Sequence, residues 1–148
     1  MSTPDEGGVG GARDVPVVPL AARQMTPADL FAYLGGSAVF EALVAGFYRR
    51  VRTDDVLAPM YPPHDFAGAE RRLRMFLEQY WGGPDTYGRE RGAPMLRRRH
   101  LPFEVDDVAR ERWLTHMLAS LAEVEMPEDG RAVVRDYLER AAAAMVNR

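Results

Sequence analysis

The sequence predicts an all-α domain behind a flexible N-terminal arm, and three observations carry that prediction. From residue 27 onward apolar side chains recur with a period near 3.6, and no stretch shows the alternation of a strand. Glycines and prolines punctuate the pattern at Gly35-Gly36, at Pro59, Pro62 and Pro63, at Gly82-Gly83-Pro84 and at Pro127. The chain's 148 residues, 47% of them hydrophobic, suit one ordered core and are too few for two ordinary domains and a linker. There is no internal repeat.

Residues 1–27 hold Gly7, Gly8, Gly10 and Gly11, together with Pro4, Pro16, Pro19 and Pro27, and no aromatic side chain. Such a segment cannot offset its ordering entropy by burial, so it is expected to be a flexible extension ahead of a folded domain over 28–148. Thr26 is placed to cap a first helix with Pro27 at its first position, and that helix should stop at Gly35-Gly36. Ser37 is expected to cap a second helix whose inner face carries Phe40, Leu43, Val44, Phe47 and Val51. The prolines make 53–65 a corner. A third helix is predicted over about 66–81, with Phe66, Ala69, Leu73, Phe76, Leu77 and Tyr80 in register, ended by Gly82-Gly83-Pro84. Residues 85–103 are polar and rich in Gly and Arg, with a brief helical stretch at 94–100 and a stop at Pro102. Long loops in compact domains tend to be functional or disordered. A fourth helix over 105–124 brings Val105, Val108, Trp113, Met117, Leu118 and Leu121 near one stripe. A last helix over 128–147 turns Val134, Tyr137, Leu138, Ala141 and Met145 inward.

Composition removes several kinds of chemistry. Nineteen Arg against 22 Asp and Glu give a net charge of −3, so there is neither a nucleic-acid footprint nor an acidic tail. All the basic residues are Arg and none is Lys, a bias with no functional account. With no cysteine, disulfide frameworks, thiolate metal sites, Fe–S clusters and cysteine nucleophiles are all excluded. No apolar run approaches the roughly 18–20 residues needed to span a bilayer. Asp5 and Glu6 stand where a signal peptide would be positive, so a soluble, cytoplasmic protein is expected. HExxH, GxSxG and a strand-preceded glycine loop are absent, which leaves zinc hydrolysis, serine hydrolysis and phosphate cradling without support.

Three histidines remain. His64 sits in a polar corner and reads as a solvated loop residue, and His116 as an ordinary, partly buried mid-helix histidine. His100 follows Arg97-Arg98-Arg99 and precedes Leu101-Pro102-Phe103. By pattern alone the favoured reading is a histidine closing a helix C-terminus, where the macrodipole favours it. The alternative is an imidazole aimed inward. The arginine run reads as a solvated face, and its sharper use is pairing with carboxylates of a bound ligand. Tyr48, Tyr61 and Trp113 either reach backbone carbonyls or converge as three donors on one ligand in an apolar cavity.

Phe47-Tyr48, Met60-Tyr61-Pro62, the run FAGAERRLRMFLEQYWGGP from Phe66 to Pro84, and Arg99-His100-Leu-Pro-Phe103 with Trp113 together resemble the group II truncated haemoglobins, most closely the O-type globins of actinobacteria. The resemblance covers about residues 28–146, in order and at family spacing. Gly35-Gly36 and Gly82-Gly83 match the positions that let that family shorten its helices. The first 27 residues have no counterpart in it.

What the resemblance implies is a two-over-two helical sandwich around one haem b. His100 aligns with the proximal histidine, which overturns the capping reading and makes it the iron ligand. Tyr48, Tyr61 and Trp113 take the distal hydrogen-bonding positions, and Ala69 stands where vertebrate globins keep a distal histidine. Leu73, Phe76 and Phe103 would wall the haem, Arg72 and Arg99 would pair with its propionates, and Tyr80 and Tyr87 would lie at its edge. The implied ligands are O2, NO, CO or a similar small molecule. The leading functional expectation is tight O2 binding used for NO oxygenation or peroxide chemistry, not simple delivery, with an external electron donor. The second is a gas sensor or storage module, and the third a haem-free helical interaction protein. Neither nucleic acid nor membrane is an expected partner, and association with further copies of the chain is left open.

Overall fold

The computed structural model describes residues 25–148, and all regular structure among them is helical. Most of the arm expected over 1–27 lies outside the described residues. In order, the elements are α1 (Pro27–Leu34), α2 (Gly36–Val51), a 3-10 turn (Ala58–Met60), α3 (Phe66–Tyr80), α4 (Thr86–Arg91), α5 (Leu96–His100), α6 (Asp107–Glu123) and α7 (Glu128–Met145).

α1 begins as expected, with Thr26 Oγ1 accepting from the Asp29 amide at 3.1 Å and Pro27 opening the first turn. It ends at Gly35, whose φ of +125° is open to glycine, and the Gly35 N–H closes back onto Phe31 and Ala32. α2 starts at Gly36 with Gly35 alone between the two helices, and the two axes bend by 57°. The expected Ser37 cap is therefore corrected: Gly35 takes the cap position and Ser37 lies exposed in the first turn. The glycine pair turns the chain before a serine cap is needed.

Phe40, Leu43, Val44, Phe47 and Val51 of α2 are each 0% exposed, and burying such side chains is worth about 1.5–3 kcal/mol apiece. α2 packs on both α3 and α6, and α6 packs on α7, which gives the two-over-two arrangement. The α2–α6 contact is close because Gly46 has no Cβ. A methyl there would lie 2.3 Å from Ser120 Oγ, which donates to the Leu43 carbonyl at 2.6 Å. α3 stops at Tyr80, and Trp81 just beyond it is fully buried.

One added helix, two helix boundaries and one burial differ from the sequence reading. α4 is an additional helix, held by tertiary contacts: Tyr87 is buried with its ring edge-on to Phe76, and Gln79 Oε1 accepts from the Gly88 amide at 2.7 Å. α6 begins at Asp107, with Asp106 accepting from Ala109 N, and α7 ends at Met145. Val108 does not face the core. It is 49% exposed in the first turn of α6 while Ala109 beside it is buried, so the inner stripe is rotated by one residue at that end.

Candidate functional site

α5 is five residues long and could not persist alone, yet its last residue is His100. His100 Nδ1 lies 2.6 Å from the Leu96 carbonyl one turn back. A carbonyl only accepts, so Nδ1 carries a proton, and in the neutral ring it is Nε2 that keeps the lone pair. His100 lines a cavity of about 340 Å³, a size within the range of small-ligand pockets.

The same cavity gathers the other candidates. Tyr48 comes from α2, Tyr61 from the corner, Arg72, Leu73 and Phe76 from α3, Tyr87 from α4, and Trp113 from α6, with Arg99 and Phe103 flanking His100. Tyr80 is the exception. It is not a lining residue, and its ring packs against Tyr137 with centroids 4.1 Å apart.

Aromatic edges fix the three donors. Phe47 meets Tyr48 edge-on at 4.9 Å and Trp113 at 5.5 Å, and the Tyr48 and Tyr61 rings meet edge-on at 5.6 Å. Burial pushes the Tyr48 hydroxyl far above its ordinary range, reinforced by its hydrogen-bonded neighbour Tyr61. Burial also raises Tyr61, though its bond with Tyr48 works the other way. Both phenols stay protonated, and hence able to donate, across neutral and alkaline pH.

The cations are engaged locally. Arg72 donates to Asp65 at 2.8 Å, and Arg99 donates to the Pro94 and Arg91 carbonyls at 2.8 and 3.0 Å. Arg91 lies 5.9 Å over the Tyr87 ring. Arg91 and Arg110 also line the cavity, as do Tyr137, Leu138, Ala141, Ala142 and Met145 of α7. Neither arginine was singled out from the sequence, although Arg110 lies one helical turn before Trp113.

The second unforeseen constellation lies beneath the corner. Asp54 is only 6% exposed. Its Oδ1 accepts from the Val56 and Leu57 amides at 2.8 and 2.9 Å, and its Oδ2 from His116 Nε2 at 2.6 Å and Arg112 at 3.3 Å. Burial alone would raise this carboxyl. The bonds from His116, the two amides and Arg112 outweigh burial and hold it well below the usual carboxylate range. Asp54 thereby ties the corner that carries Tyr61 to the helix that carries Trp113. His64 is exposed.

Among known families, the bacterial-like globins match residues 29–147. The chain belongs to the bacterial-like globins. This globin is 38% identical over 112 residues to the group 2 truncated hemoglobin YjbI of Bacillus subtilis, covering 76% of this chain and 84% of that protein. Among solved structures, a thermostable hemoglobin from the actinobacterium Thermobifida fusca is 46% identical with a TM-score of 0.78, over 83% of this chain and 98% of that one. The truncated oxygen-avid haemoglobin of Bacillus subtilis is 35% identical with a TM-score of 0.75, over 83% and 100%. The resemblance to group II truncated haemoglobins and the all-helical sandwich expected from it both hold. No single helix among the described residues is long and apolar enough to cross a membrane.

Proposed function

We propose that this globin holds one haem b through His100 and binds O2 with slow release. The observation that carries the reading is an apolar-walled cavity that collects the His100 imidazole, Trp113 and the hydrogen-bonded pair Tyr48 and Tyr61. The cavity suits a flat, apolar macrocycle with acidic edge groups. Leu73, Phe76, Tyr87 and Phe103 offer apolar and aromatic surface, and Arg72, Arg91, Arg99 and Arg110 offer cations for carboxylates. A relative described as oxygen-avid supports the same direction.

Haem would supply an iron able to bind a diatomic ligand, and His100 would be the residue that holds it. The chain does the rest. The Leu96 carbonyl keeps the His100 proton on Nδ1 and leaves Nε2 to coordinate. Tyr61, Trp113 and Tyr48 donate toward the partial negative charge of a small ligand, and Phe47 braces two of them edge-on. Leu57, Leu73 and Leu77 help exclude competing water. Neutral hydrogen bonds contribute about 0.5–1.5 kcal/mol each, so two or three slow release by roughly ten- to a thousand-fold. Slow release disfavours delivery and favours consumption of the ligand, by oxygenation of nitric oxide to nitrate or by peroxide chemistry. Repeated turnover of that kind draws electrons from an external donor.

The test is a visible spectrum of the purified chain supplied with haemin, then reduced with dithionite, then exposed to CO. The expected result is an intense Soret band that moves at each step in the wild type and loses its histidine-ligated form in His100→Ala. A flat visible region, or a His100→Ala spectrum identical to wild type, rejects the reading.

A further inference from the structure

Asn147 follows α7 in the chain, 47 residues from His100, and no sequence motif links the two. In the fold its side-chain amide reaches the backbone just after α5. Nδ2 donates to the His100 carbonyl at 3.1 Å and to the Phe103 carbonyl at 3.0 Å, while Oδ1 accepts from the Val105 amide at 3.0 Å. The Asn147 backbone amide donates to the Val105 carbonyl at 2.8 Å. Both side-chain N–H groups and one oxygen lone pair are therefore used. The orientation is unambiguous, because flipping the amide would set oxygen against two carbonyls and nitrogen against an N–H.

This clasp acts where the chain is weakest. α5 is a single short turn preceded by Met95 in the left-handed region (φ +44°), and Leu101 and Phe103 beyond it are 55% and 39% exposed. Little apolar burial holds the segment. α7, in contrast, is an 18-residue helix with Val134, Tyr137, Leu138 and Ala142 buried. The rigid element lends its order to the frail one through Asn147. Within α5 the Leu96 carbonyl fixes the His100 ring and Arg99 ties the helix back to the Arg91 and Pro94 carbonyls, while Asn147 anchors its C-terminal end to α7.

We propose that Asn147 is a positioning residue for His100: its amide pins the His100 carbonyl to the end of α7 and so sets the direction in which the imidazole faces the cavity. The proposal rests on the reading of His100 as the haem ligand. Two variants separate its parts. Asn147→Ala removes every side-chain bond, whereas Asn147→Asp keeps an acceptor for Val105 and loses only the donors to His100 and Phe103.

The experiment measures two things on the full chain. The first is amide exchange at Val105, Phe103 and Leu101. The second is the iron–histidine vibration of the dithionite-reduced, haemin-loaded protein. In Asn147→Ala exchange at these amides is expected to rise at least about tenfold while α6 and α7 core amides stay protected, and in both variants the iron–histidine band should shift and broaden. Unchanged exchange in Asn147→Ala overturns the clasp. A wild-type band in Asn147→Asp also overturns the proposal, because Asn147 would then hold only the loop. Absence of the band in wild type is failure of the haem reading. In that case the His100 ring is followed by 15N NMR in the haem-free chain: a single Nδ1–H tautomer that averages in Asn147→Asp upholds the positioning role, and an unaltered signal overturns it.

Discussion

Trp113 and Tyr61 reach one cavity from different elements, Trp113 placed edge-on by Phe47 and Tyr61 by the Tyr48 ring together with its hydrogen bond to the Tyr48 hydroxyl. That bond lowers Tyr61, as it does for the accepting partner, so the Tyr61 O–H is left for a ligand. Trp113→Phe is expected to raise the O2 dissociation rate about tenfold, the equivalent of about 1.4 kcal/mol. Stopped-flow release from the reduced protein measures it, and an unchanged rate excludes Trp113 as a donor. Combining Trp113→Phe with Tyr61→Phe should give less than the summed effect, by about 0.5 kcal/mol or more, as expected of two side chains that share one ligand. The grouping of Tyr48, Tyr61, Trp113 and His100 came from the family resemblance, since by pattern alone His100 read as a helix cap behind three arginines and the three donors as equally able to reach backbone carbonyls. Asp54 was not legible. Its partner His116 is 62 residues away and no local spacing joins them, so the pair exists only once α6 lies against the corner.

At the scale of elements, that buried carboxylate makes the corner sensitive to acid. The Asp54 group is held below the ordinary carboxylate range in the folded chain and returns to about 3.9 when unfolded. The folded state thus binds fewer protons there, and its contribution is full above about pH 4. It is lost as pH falls from there toward the lower native value. Urea midpoints at neutral pH and at pH 3 should therefore fall more steeply in wild type than in Asp54→Asn, which carries no titratable group. Equal slopes would remove Asp54 as the cause. The long helices were legible because α2, α3 and α7 each carry enough apolar residues to fill a stripe. α4 was not, because only Tyr87 among its six residues is buried and its helix depends on Phe76 and Gln79 from α3. Val108 misled for a different reason: the stripe is rotated by one residue in the first turn of α6, so Ala109 takes the buried position and Val108 faces out.

Across the whole molecule, the packing that closes the core leaves the region beside His100 unfilled. The shape of that region was not legible, since it follows from how α2, α3, α6 and α7 are arranged in space. Its size, however, traces to particular small residues. Ala69, Ala109 and Ala142 are buried and line the cavity, at positions where leucine would be equally at home in a helix. These alanines mark a trade between durability and use. Ala142→Leu is expected to fill part of the space, raise the thermal midpoint of the haem-free chain and abolish haemin uptake, read by melting and by titration of the Soret band. Uptake at wild-type affinity would show that this wall lies clear of the ligand. Three such short side chains around one hollow leave space that longer ones would occupy. What they withhold from cohesion they keep as room, and the interior face the chain declined to pack is the one open to a guest.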